Sequence, residues 1–325
     1  MTRRELLARA TAAAMGVLAV PAISVLGSRQ RANPAIVEHL HSFRRVLVEE
    51  DNLLGSSHLI GTVTERIALI DGMCGSAPAP MRSDFLRLGA LYEELAGWLH
   101  QNIGNAREAL WWSDRAIASA HEADDQLLVS YVFMRKAQLA MDAGDASETI
   151  GLAQAAQRNE GLTCRVRAAA VQQEAHGHAL AGNLRESERM FDQALHLVVA
   201  GDDGDHVASE LGGFCTERHI EAQRATALLE LGQPRLAVSV FERELALWPA
   251  SFERDRGLFL SKCALAHLAN DDPDQAATIG RDAAQIGLST RCARTLARLG
   301  DLDRRLASHG SRPAVRDFRE SLATA

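Results

Sequence analysis

LAGWLHQNIGNAREALWWSDRAIASAHEADD, residues 95–125, decides the fold. It reads as two amphipathic helical runs around a Gly104-Asn105 corner. Glycine, asparagine and aspartate tolerate the left-handed backbone at which one helix stops and another begins. Gly97 lies seven positions before the corner, Ala109 five after it and Ala116 twelve after it. Small side chains at such places let two helices cross closely.

The arrangement recurs. Corners of the same kind stand at Gly144, Gly182, Gly232 and Asp271. Seven positions earlier are Ala137, Ala175, Ala225 and Ala264. Five later are Thr149, Ser187, Ala237 and Ala276, and twelve later Ala156, Ala194, Glu244 and Ala283. Of the fifteen aligned positions fourteen are small, in a chain where alanine is 55 of 325 residues. Bulky residues such as Leu95, Leu99, Phe191, Leu195, Phe241 and Leu245 fill the spaces between pairs. One helix pair cannot bury its apolar face, but a stack can. Another pair is expected at 34–52 and 56–73, and GSAPAPMRSD (75–84) breaks the pattern. Residues 200–216 form the one long insertion. The expected architecture is all-α, with about six helix pairs and a closing helix.

This pattern resembles the tetratricopeptide repeat. The small residues, the Gly-Asn/Asp corners and Pro249, at the family's terminal proline position, carry the resemblance. The repeats are longer than usual and lack the family's tryptophan and tyrosine. The resemblance implies a right-handed superhelical solenoid. YVFMRKAQLAMDAGD, VQQEAHGHALAGN and AVRDFRESL, with the opening stretch, are similar to the helical-repeat region of actinobacterial helix-turn-helix transcriptional regulators over residues 34–320. That similarity implies a part in transcriptional regulation, in the cytoplasm. It departs from those regulators upstream of Asn33, where no three short helices with a basic recognition face occur, so no direct DNA binding is expected.

The charge agrees. Net charge is −7; residues 1–31 carry +4 and the remainder −11. An acidic body repels a phosphate backbone. Residues 1–32 read as a basic, alanine-rich leader or linker, with Arg3-Arg4 giving export by a twin-arginine-like signal as the alternative, and 33–325 as the repeat domain. No segment is long and apolar enough to span a membrane. The five cysteines lack CxxC spacing and read as reduced, mostly buried thiols.

No catalytic motif is found, and neither an enzyme, a cofactor nor a metal is expected. His39/His41 and His176/His178 are i,i+2 pairs, which point apart on a helix. DDGDH (202–206) lacks the spacing of a calcium loop. Glu49-Glu50-Asp51 and Glu93-Glu94 read as solvated faces or caps. Arg291, Arg294 and Arg298 share a helix face and read as a solvated capping helix, with an anionic-partner site as the alternative.

By the tetratricopeptide resemblance, the first helix of each pair faces a concave groove. This implies groove positions at Trp98 and Gln101, at Tyr131, Met134 and Gln138, at Gln172 and His176, and at His219, Ala222 and Thr226. Gln138, Gln172 and His176 could hydrogen-bond an extended peptide, while Trp98, Tyr131 and Met134 supply apolar contact. The expected partners are a peptide, a small-molecule signal or a regulatory protein, with a scaffold that merely joins two proteins, or a homodimer, as alternatives.

Overall fold

The computed structural model describes residues 33–201 and 211–323. The leader at 1–32, the acidic DDGDH motif and most of the insertion lie outside these residues. All regular structure among the described residues is helical: fourteen α-helices and two short 3-10 segments. They are α1 (Pro34–Leu54), α2 (Ile60–Cys74), α3 (Ala79–Asn102), α4 (Ala106–Glu122), α5 (Gln126–Asp142), α6 (Ala146–Ala156) and α7 (Cys164–Leu180). Then come α8 (Leu184–Ala200), α9 (Glu217–Glu230), α10 (Pro234–Leu245), α11 (Glu253–Ala269), α12 (Pro273–Ser289), α13 (Ala293–Arg305) and α14 (Pro313–Ala323). From α2 to α13 each helix packs on the next, α1 packs on α3 and α14 on α12, which makes the described chain an α-solenoid. The expected closing helix is two, separated by a 3-10 turn at Leu306–His309 and resumed at Pro313. Proline suits a first helical turn, where its missing N–H leaves no bond unmade.

The corners behave as their residue types require. Gly104, Gly144, Gly182, Gly232 and Asp271 all have positive φ, between 60° and 81°. The next helix is then capped by a side chain: Asn105 accepts from the Glu108 N–H, Asp145 from Glu148, Asn183 from Glu186 and Asp272 from Gln275. The small aligned positions are the close crossings. Ala109, Ala116, Ala137, Ala175, Ala225 and Ala276 have no exposed surface. A Cβ on Gly97 would sit 3.1 Å from Ser113 Oγ.

The two helices of a pair differ. The second helices bury one stripe, such as Ser187, Met190, Phe191 and Ala194 on α8. Apart from α1, which buries one stripe, the first helices are buried on most sides: α7 buries both Gln172-Gln173 and Ala168-Ala169-Ala170. The reason lies in the connectivity of the first helices. α1, α3, α5, α7, α9 and α11 touch in succession, and α11 returns to touch α1. These six therefore form a ring, with the second helices α4, α6, α8, α10 and α12 outside it. α13 adds a further closing contact with α3.

The seam is tight. Gly55 (φ 87°) caps α1 against the backbone of Thr290, and a Cβ there would lie 1.8 Å from the Thr290 carbonyl oxygen. Gly144 has a similar φ of 78° and no atom within 4 Å of a built Cβ. Gly144, at a left-handed helix end, pays about 1 kcal/mol for alanine, whereas Gly55, with ψ 173°, sits where essentially only glycine is found. Only Gly55 also meets backbone that cannot move aside. Gly144→Ala is expected to cost about 1 kcal/mol in denaturant unfolding, while Gly55→Ala costs several times more and separates α1 from α12. Equal costs would show that the seam is not tight.

Candidate functional site

A ring of buried helices must place some side chains inward, and here many are polar or charged. Burying an unpaired charge is expensive, so such groups are held in pairs. Glu94 accepts from Arg44 at 3.0 Å and pairs with Arg135 at 3.1 Å. Arg44 also donates to the Leu91 carbonyl. Arg254 donates to Asp51 at 2.8 Å, to Asn52 at 2.8 Å and to Asp255 at 3.0 Å. Arg294 makes a two-pronged contact with Asp142, at 3.1 and 3.2 Å.

These pairs surround one indole. The guanidinium carbons of Arg135, Arg254 and Arg294 lie 3.8, 4.6 and 5.8 Å from the Trp98 ring centroid. A desolvated guanidinium over an aromatic face is held at about 2 kcal/mol. The Trp98 Nε1–H donates to Asp51 Oδ2 at 2.9 Å, which fixes the ring. Ser56 Oγ donates to the other Asp51 oxygen.

Two cavities lie on either side of this cluster. The first, about 270 Å³, is lined by Trp98, Tyr131, Gln138, His219, Gln223 and Phe259 together with the ion pairs around Trp98. The second, about 660 Å³, is lined by Gln101, Asp142, Lys262, Arg298 and Asp301 among others. Leu258 and Arg294 line both.

The residues implied by the repeat resemblance divide accordingly. Trp98, Tyr131, Gln138 and His219 face the first cavity and Gln101 the second. Met134, Gln172, His176 and Thr226 line neither cavity, and Ala222 is core. The small neighbours of His176 leave no open space: Phe191 packs edge-on to its ring at 5.4 Å, and Gln223 Oε1 accepts from its Nε2–H at 3.1 Å. The Gln223 amide then donates to His219 Nε2 at 3.3 Å. A chain of three polar groups thus runs from the core to the cavity wall. Both amide atoms of Gln172 and the Nδ1 of His176 are buried without a partner among the described residues.

Several charged residues stand where sequence patterning puts water. Asp51, Glu93 and Glu94, which read as solvated faces or caps, are 1%, 1% and 4% exposed and held by arginines. Arg294 was expected on a solvated capping helix, but α13 turns it inward onto Asp142 and Trp98. Arg44, Arg135, Arg254 and Lys262 were not singled out at all. A signal existed: Arg135 follows the apolar run YVFM (131–134), and Lys262 interrupts LFLSKCALA (258–266), which is otherwise apolar or small. The cysteines follow expectation: none of the five is in a disulfide, and four are buried. Among the described residues no group of three His, Cys, Asp or Glu side chains is placed to hold a metal. Among them, too, no helix is long and apolar enough to cross a membrane. Comparison with models of known protein families and with curated proteins gives no match.

Burial governs the titration of the interior. Burial pulls His176 down to about 3, aided by the Lys262 charge and opposed by the Gln223 bond. It pulls His219 down to about 4, with Asp255 opposing. Burial raises Asp142, but the Arg294 guanidinium outweighs it, with help from Gln101 and Lys262, and holds the carboxyl below its ordinary range. The two histidines are thus neutral when folded at pH values where the unfolded chain has already protonated them, near 6.5. The unfolded state then binds more protons, so stability falls as pH drops from about 6.5 towards 4 and 3. Urea unfolding across this range should show that fall, and His176→Leu should flatten it. An equally steep fall in His176→Leu would mean that His176 is already charged in the fold.

Proposed function

We propose that the protein is a non-enzymatic, tetratricopeptide-like regulatory protein that binds a small signal or short peptide inside its helical ring. The single observation that carries this reading is the first cavity. Four of the residues implied by the repeat resemblance, Trp98, Tyr131, Gln138 and His219, share its wall. Aromatic faces beside a few fixed polar groups are what small-molecule sites use. The volume, about 270 Å³, suits a compact ligand better than a folded partner.

A right-handed superhelix fits the repeat phrases and the small-residue crossings. The part in transcription rests on the likeness to the repeat region of helix-turn-helix regulators. Direct DNA contact is not part of the proposal, since the chain from residue 32 onward is acidic. Ligand occupancy acts by shifting the population of two packings at the ring seam, because a ligand that touches Trp98 also touches the groups that hold α1 to α11. A cytoplasmic location goes with this reading. Arg3-Arg4 favours a second one, an exported scaffold that joins two proteins.

The test is capture by the immobilised full chain from a native lysate, with bound small molecules and peptides identified by mass spectrometry. Trp98→Phe/Gln138→Ala is the comparison, chosen because Phe keeps the packing. A species retained by the wild type and reduced about tenfold or more by the variant is expected, since losing a hydrogen bond to a buried polar group costs about 1–3 kcal/mol. Equal retention by both proteins contradicts the proposal.

A further inference from the structure

The second cavity has a different chemistry from the first. Its charged lining is Lys262, Arg294, Arg298 and Arg304 against Asp142 and Asp301. Two of the cations are already matched: Arg294 pairs with Asp142, and Arg304 with Asp301 at 3.0 Å. The other two are not. Lys262 is only 5% exposed, and its ammonium donates to the Thr226 hydroxyl at 3.2 Å. Among the described residues no carboxylate lies within ion-pairing distance of Lys262 Nζ or of the Arg298 guanidinium. The ammonium also lies 5.3 Å from the Phe259 ring centroid, but a hydroxyl and a ring face bring no net negative charge, so burying it is costly unless something else supplies one.

Every surrounding element bears on this. Asp142 comes from α5, Thr226 and Glu230 from α9, and Arg294 and Arg298 from α13; the neutral His176 on α7 lies further off. Asp142 is committed to Arg294 and Gln101. Glu230 acts on both Lys262 and Arg298, but only at longer range. The first turn of α13, Ala293 and Arg294, also lines the cavity. That turn carries no acidic residue and no capping side chain, so the positive end of its dipole is not neutralised.

We infer that this cavity binds the oxyanion group of a small molecule, a phosphate or a carboxylate, between Lys262 and Arg298, with Arg294 behind it. The inference deepens the proposed function, since the same bound molecule would reach the Trp98 cavity past the shared Leu258 and Arg294. Lys262 supplies a compact positive charge and Arg298 a planar fork, a combination suited to such a group. Burial, together with the nearby Arg298 and Arg294 charges, brings Lys262 down to about 7. An incoming anion favours the ammonium, so binding above pH 7 takes up a proton.

The probes are pyrophosphate and citrate, titrated separately into the full chain by calorimetry at pH 7.5 in two buffers of different ionisation enthalpy. One-to-one binding with proton uptake is expected. The tighter of the two probes tells which oxyanion is read, and either supports the site. Lys262→Met should weaken binding about tenfold or more and abolish the proton uptake. It should also raise the Tm of the free protein, because a methionine carries no buried charge and Thr226 Oγ1 keeps its bond to the Ala222 carbonyl. A merely structural lysine would lower the Tm instead. Arg298 is exposed, so Arg298→Ala keeps the fold and decides the matter should Lys262→Met fold poorly. The inference is overturned if neither probe binds, or if affinity is unchanged in a folded Lys262→Met. Should that happen while Trp98-dependent capture persists, the proposed function stands without this site.

Discussion

Arg254 and Asp51 are 203 residues apart in sequence and 2.8 Å apart in space. They are 3% and 1% exposed. The closure of the interior centres on this pair. It joins the eleventh helix to the first and so turns a row of helices into a ring. The same Asp51 holds the Trp98 indole, and the same Arg254 packs on that indole's face. Removing one member of a buried pair leaves an uncompensated charge and costs about 3–5 kcal/mol. The closure and the wall of the Trp98 cavity are therefore one construction.

The ring also explains why the inner helices carry charge at all. An open solenoid presents its first helices to solvent along a groove. Here these helices face one another, and water gives way to partners such as Glu94 between Arg44 and Arg135. Buried ion pairs are weak contributors to stability and more useful for specifying one arrangement. Apolar residues at these positions would hold the ring equally well but leave nothing to recognise a polar ligand. Arg294 and Leu258 couple the two cavities, so an occupant of one alters the walls of the other.

Helix pairs were legible in the sequence because they are local. The five corners, Gly104 to Asp271, all take the left-handed backbone, and the aligned alanines are the buried crossings. Each depends on residues within about one repeat. Closure was not legible, because nothing in a repeat announces that α1 meets α11. That omission accounts for the misreading of Asp51 and Arg294, which have the spacing of solvated positions on an open array and become interior once the ends meet. Glu93 and Glu94 are instead buried against arginines of neighbouring helices, Arg115, Arg44 and Arg135. Gln172 and His176 share a helix face as expected, yet Phe191 and Gln223 fill the room beside them. Trp98, Tyr131, Gln138 and His219 line the first cavity because inward-facing positions stay inward whether the array is open or closed.

The measurement that tests closure most directly is a spin-label distance across the seam. Labels at Leu53→Cys on α1 and Ser251→Cys in the turn before α11 sit on exposed positions of segments that touch. Cys164, the one partly exposed native thiol, is replaced by serine. The account predicts a single narrow, short distance in the wild-type background. It predicts a broader and longer distribution when Asp51→Ala removes the partner of Arg254. A broad, long distribution in the wild-type background would mean an open array, and the Trp98 cavity would lack this wall.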